Sequence, residues 1–129
     1  MDPALLRTAA VAGFLGVALG AFGAHGLEAR FEGLEDAAQR LEWWATAAQY
    51  HLIHALAIGL AAAVRSPKAG AGARGAGGSF ALGILLFSGS LYVMSLTGIR
   101  TLGAVTPLGG VFFLVGWIAL FRAAGRQAA

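Results

Sequence analysis

The charged residues of this 129-residue chain fall in short clusters and leave four charge-free stretches, residues 8–27, 43–64, 75–99 and 101–121, each 20 to 25 residues long. About 20 apolar residues let a helix cross a hydrocarbon layer roughly 30 Å thick, and inside that layer an open chain satisfies its backbone amides only as a helix. Alternating strand patterns are absent, so the gaps predict an all-α integral membrane four-helix bundle with spans over about 5–26, 43–64, 79–99 and 102–121. The apolar run behind Arg7, ending in Ala21-Phe22-Gly23, has the outline of a signal peptide and is read instead as an uncleaved first span. Composition agrees: 58% hydrophobic and 12% charged residues with a mean hydropathy of +0.74 exclude a disordered or fibrous chain. The pI of 10.2 reflects a net charge of only +3, so nucleic acid is not an expected partner. The absence of cysteine excludes disulfide scaffolds, thiolate metal sites and thiol catalysis.

Between the first and second gaps, Leu27, Phe31, Leu34, Ala38 and Leu41 recur at helical spacing among charged residues. That pattern predicts an interfacial amphipathic helix over about 27–42 with its apolar stripe toward the membrane. Trp43 and Trp44 then sit at the headgroup level, opening the second span. Residues 65–78 are Gly-rich and read as a flexible cytoplasmic connector; their glycines match no phosphate-binding motif. With cytoplasmic N- and C-termini, six Lys and Arg residues lie inside and three (Arg30, Arg40 and Arg100) outside, the orientation that basic loops select.

Lipid gives helices no hydrophobic reason to associate, so close approach through small residues has to supply the attraction. Gly16 and Gly20 in the first span, Gly59 in the second and Gly89 in the third are the expected packing positions. Pro107, followed by Gly109-Gly110, predicts a kink or a late start of the fourth helix.

Ionisable and polar groups at membrane depth are the candidate functional residues: His25, His51, His54, Ser88, Ser90, Tyr92 and Thr106. Counting about 1.5 Å per residue from the expected span ends puts His54 near the midplane with Ser88 and Ser90, Tyr92 level with His51, and Thr106 near His25 at the outer rim. Hydrogen bonding across helices is the plain expectation. A metal or haem held by His51 and His54, three apart on one face, is the sharper one, but no Cys, Asp or Glu lies within a span to complete a shell, and no metal or other cofactor is expected. A serine nucleophile with a histidine base lacks an orienting acid, so no enzyme is expected either.

Gly20-Ala21-Phe22-Gly23-Ala24-His25, Tyr50 and His54, Phe87-Ser88-Gly89-Ser90-Leu91-Tyr92, Thr106-Pro107-Leu108-Gly109-Gly110 and Gly116-Trp117 together resemble the YgdD-like family of small inner-membrane proteins, a domain of unknown function with an animal relative called transmembrane protein 256. The resemblance runs along nearly the whole chain. It implies a four-helix protein of the bacterial inner membrane with no assigned activity; His51 and the Gly-rich connector lie outside its pattern. The expected role is a structural or interaction component that contacts membrane lipids, itself as a homo-oligomer, or a larger complex. The alternative is a small transporter or channel subunit with a polar path past His54, Ser88, Ser90 and the Pro107 break.

Overall fold

The structure, a computed structural model, describes residues 1–64 and 70–127. The described residues are helical and contain no strand. They form α1 (Pro3–His25), a single turn α2 (Leu27–Arg30), α3 (Ala37–Ala63), α4 (Gly70–Gly83), a π-helical turn (Ile84–Ser88), α5 (Gly89–Thr97), a 3-10 turn (Arg100–Ala104) and α6 (Thr106–Gln127). Because α4, the π turn and α5 follow without a break, the described residues make four long helical rods.

Each rod runs antiparallel to the one before. Along α1 and α3, Gly23 faces Trp44, Gly20 faces Ala48, Gly16 faces Leu52 and Gly59 faces Ala9. Along the third rod and α6, Gly72 faces Ala123, Phe80 faces Gly116, Gly83 faces Phe113 and Phe87 faces Gly109. The α3 rod is the hub: it packs on α1, α4, the π turn and α5, whereas α6 packs on α4 and the π turn. The core between α3, α4 and α6 is built from Ala57, Ile58, Ala61, Ala76, Phe80, Ile84 and Phe113.

Three helical segments are long and apolar enough to cross a membrane: Pro3–His25, Gly70–Thr97 and Arg100–Arg126. The fourth rod, α3, carries Thr46, Gln49, Tyr50, His51 and His54. Neighbouring helices cover most of its faces, and His51 and His54 find protein partners there, which a helix surrounded by lipid could not offer.

At one end of the molecule Asp2 caps α1, accepting from Ala4 N at 3.0 Å and Leu5 N at 3.2 Å. The Arg74 guanidinium donates to its other oxygen at 2.8 Å, tying α4 to α1 and holding the carboxyl below the ordinary aspartate range.

Two expectations need correction. Helix α4 begins at Gly70, so residues 70–78 of the expected connector are helical, and the third rod starts nine residues before the predicted 79. Only residues 65–69 of that connector lie outside the described residues. The segment 27–42 is not one helix: α2 ends at Arg30, the chain turns through Gly33 at a φ of +83°, and residues from Ala37 already belong to α3. Its stripe is split as well, because Leu27 and Phe31 (2% exposed) pack inward on Trp44 while Leu34 is 43% exposed. Pro107 makes no kink; it occupies the first turn of α6, where a missing N–H costs no hydrogen bond. Of the two expectations for Pro107, the late helix start is the one the structure contains.

The packing glycines also divide. A Cβ on Gly16 would lie 2.8 Å from Leu52 Cδ2, but one on Gly20 would have 4.0 Å to Ala48 and one on Gly59 3.8 Å to Ala9, ordinary contacts. Gly89 meets only the Ile84 carbonyl of its own rod. The contact that admits no side chain on α1 is Gly23, where a Cβ would land on the Trp44 indole. That ring cannot swing away freely, since its Nε1 donates to the Leu19 carbonyl at 2.8 Å. Gly23→Ala is therefore expected to lower stability in detergent by about 1–3 kcal/mol, as overpacked sites do, while Gly20→Ala leaves it unchanged or raises it. Thermal unfolding of the two variants side by side decides this; equal curves would place Trp44 elsewhere.

Candidate functional site

The polar side chains of the rods converge on no single cluster. They form separate hydrogen-bonded pairs at different levels of α3.

The best enclosed is His54. Its Nδ1 lies 2.7 Å from the Tyr50 carbonyl one turn back, an atom that only accepts, so Nδ1 carries the proton. The remaining nitrogen, Nε2, is then an acceptor, and Trp117 Nε1 of α6 donates to it at 3.2 Å. This network assigns one tautomer and leaves neither nitrogen free for a metal. The ring stacks on Phe113 with centroids 3.5 Å apart and planes 7° from parallel, and Phe80 and Trp117 close around it at 5.6 and 6.0 Å. His54 thus fastens α3 to α6.

One level toward the other end, the Tyr92 hydroxyl lies 3.1 Å from His51 Nδ1. Side chains lean toward the N-terminus of their own helix, and in antiparallel rods His51 and Tyr92 lean toward each other. The Tyr92 ring also packs on Trp44 at 4.6 Å, so these three residues fill the α3–α5 seam.

Neither serine lies beside a histidine. Ser88 Oγ donates to the Ala47 carbonyl at 2.8 Å, about 10 Å along α3 from His54. Ser90 Oγ donates to the Phe87 carbonyl at 2.9 Å, and its one proton is thereby used, so Thr106 is the donor in the 2.6 Å contact between their hydroxyls. Thr106 is bonded to Ser90, and His25 is exposed at the end of α1. The expected grouping of His54 with Ser88 and Ser90 is corrected accordingly. Its cause is the early start of α4, which displaces every level counted from residue 79.

Four participants carried no sequence signal as site residues. Trp117 and Trp44 are hydrogen-bond donors to His54 and Leu19. Trp44 is 4% exposed, packed inside the protein on Leu27 and Phe31. Arg40 pairs with Asp36 at 3.0 Å and points at the last carbonyls of α5, at 3.4 Å from Ser95 O and 3.5 Å from Leu96 O, where a helix end favours a cation. In return Ser95 Oγ donates to the Arg40 carbonyl at 2.8 Å. Gly98, at a φ of +73°, ends α5 against the same guanidinium, and no other residue type would suit both its backbone and that contact. Gln49 is the fourth. It is exposed halfway along α3 and makes no hydrogen bond among the described residues.

Every buried side-chain nitrogen and oxygen among the described residues has a hydrogen-bond partner. Nor do three His, Asp or Glu side chains converge there. Open grooves flank the hub: one of 470 Å³ between α1 and the third rod, lined by Val11, Leu15, Ile58 and Leu85 with Arg7 and His51 among its walls, one of 560 Å³ between α3 and α6, lined by Gln49, Tyr50, His54, Phe113 and Trp117, and one of 300 Å³ between α1 and α3, lined by Gly20, Trp44, Ala45 and Ala48.

Residues 19–110 match a family described as a protein of unknown function, DUF423. Among curated proteins, the chain is 47% identical over 116 residues to the UPF0382 membrane protein YwdK of Bacillus subtilis, covering 89% of this chain and 90% of that one. It is 42% identical over 115 residues to a UPF0382 membrane protein of Haemophilus influenzae, with 89% and 88% covered. It is also 42% identical over 123 residues to the UPF0382 inner membrane protein YgdD of Escherichia coli, with 95% and 89% covered. No solved structure matches.

Proposed function

The chain belongs to the DUF423 family, a family of membrane proteins, and from that membership we propose that it is a non-catalytic, four-span protein of the bacterial inner membrane whose role is to make contacts within the bilayer. Its contacts are with lipid, with further copies of itself or with a larger complex. The α3 rod serves as the fourth span, and the residues around 27–36 lie at the outer headgroup level. The termini are cytoplasmic, as the six-to-three distribution of Lys and Arg supports.

One observation carries this reading. The buried polar groups at depth already use their hydrogen bonds within the protein, so none of these buried donors and acceptors is held in reserve for a passing solute or a reacting one; the unpartnered Gln49 amide and Tyr50 hydroxyl lie on the exposed side of α3. A transport site keeps such groups available, and a catalytic one keeps a base beside its nucleophile. Here Ser88 and Ser90 donate to backbone carbonyls and His54 is stacked between rings.

The test is reconstitution in liposomes. Proton, sodium and potassium flux should equal that of protein-free vesicles, and His54→Gln should leave it there. Flux that requires the protein and falls in the variant would overturn the reading in favour of a polar path. The orientation has its own check, since periplasmic alkaline phosphatase activity from a fusion at residue 129 would reverse the topology.

A further inference from the structure

We infer that the uncovered stripe of α3 is a self-association surface, on which Gln49 pairs with Gln49 of a second copy of this chain inside the membrane. The inference rests on α3 being a membrane span.

Ala45, Gln49, Ile53, Leu56 and Leu60 are exposed and follow one another at steps of four, four, three and four. That spacing draws a single straight seam down a helix, the geometry that lets two helices lie side by side. Covering the rest of α3 is the work of α1, the third rod and α6, so this seam is where the hub meets the outside. An aliphatic seam would suit lipid. This one carries a primary amide within the span: Gln49 lies seven residues beyond the exposed Glu42, about 10 Å along the helix and farther than its short side chain reaches back toward the headgroup layer. Hydrocarbon offers that amide nothing, and a polar group without a partner there is strongly disfavoured. Beside it the Tyr50 hydroxyl, on a residue 40% exposed, likewise has no partner among the described residues.

A second copy supplies what is missing. Copies inserted by the same machinery share one orientation, so their two-fold axis stands along the membrane normal and the two α3 helices run parallel, each residue at the depth of its counterpart. A glutamine amide is both donor and acceptor and is therefore complementary to itself across such an axis. The grooves on either side of the seam, 300 Å³ toward α1 and 560 Å³ toward α6, are open to receive the flanking side chains of the second copy.

The chain has no cysteine, so single introduced thiols report the contact without further engineering. Ile53→Cys, on the seam with Gln49 retained, should form a disulfide-linked species of twice the chain mass when native membrane vesicles are oxidised. Phe14→Cys, on the outer face of α1 and 74% exposed, should not. Adding Gln49→Leu to Ile53→Cys should cut the cross-linked yield at least tenfold, and Gln49→Asn should retain most of it. Gln49 is exposed, so leucine there leaves the fold of the protomer intact, and the helical circular dichroism of the purified variant verifies this. The inference is overturned by equal cross-linking at 14 and 53, by a yield indifferent to Gln49→Leu, by an adduct with a different protein, or by rapid labelling of the Ile53→Cys thiol with a membrane-impermeant maleimide, which would mean water. None of these results bears on the flux measurement, so the contact-making role stands or falls separately.

Discussion

Alanine at Gly109 is expected to lower the unfolding free energy in detergent by about 1–3 kcal/mol, and leucine there to prevent α6 from docking at all. The added Cβ would meet backbone, since Phe87 Cα lies 2.7 Å from its position and the Phe87 amide nitrogen closer still. A side chain in the way can turn to another rotamer; a main chain cannot. Phe87 has no room to retreat, because the next residue, Ser88, is bonded to the Ala47 carbonyl of α3 on the opposite side. Gly110→Ala is the control, with its nearest neighbour 3.9 Å away at Phe87 Cδ2. Thermal unfolding of Gly109→Ala that matches Gly110→Ala would show that α6 does not touch the π turn.

The second large effect is expected at His54. Leucine there removes the acceptor of the Trp117 N–H and the stacking on Phe113 together. Hydrogen bonds between membrane helices are worth about 0.6 kcal/mol on average and about 1.7 at most, and the lost ring packing adds to that. A double-mutant cycle separates the two parts: His54→Leu and Trp117→Phe together should cost less than the sum of the single losses, by about 1 kcal/mol. Strict additivity would mean that the bond does not exist. His54→Gln should retain most of the stability, since an amide can replace both a donor and an acceptor.

Much of the architecture was legible because hydrocarbon excludes charge more strictly than water excludes grease. The gap after Arg7 became α1 within two residues of the expected ends, and the run after Arg100 became the 3-10 turn and α6. The beginning of α4 was not legible. Gly70 to Gly78 has the composition of a loop, and glycine is a poor helix former in water. In the folded protein those glycines admit neighbours: Leu5 fills the space where Gly77 lacks a side chain, and Ala123 lies against Gly72. Packing decided against propensity, and no local pattern announces that. The error then propagated, since levels counted from residue 79 placed Ser88 beside His54 instead of Ala47. The His51–Tyr92 contact does not follow from those levels either: with Ser88 opposite Ala47, Tyr92 stands about 12 Å along the rods from His51, and the two side chains meet because each leans toward the other; nor does the sequence show the His54–Trp117 bond. Arg40 illustrates the same limit. A charge in a polar segment reads as solvated until the end of α5 is brought to it.

The π turn at Ile84–Ser88 adds one residue to the helical count, and one residue is about 100° of rotation. Below it the rod follows both α3 and α6; above it α5 keeps to α3 and the 3-10 turn. The turn therefore works as a phase shifter. Were the same residues wound as a regular α-helix instead, Ser90, Tyr92 and Ser95 would be carried about a quarter turn away from Thr106, His51 and Arg40, undoing three interhelical bonds at once. The turn is consequently where this rod tolerates a change of length: a one-residue deletion inside it can be absorbed by closing to a regular α-helix, whereas a deletion beyond it turns everything that follows by about 100°.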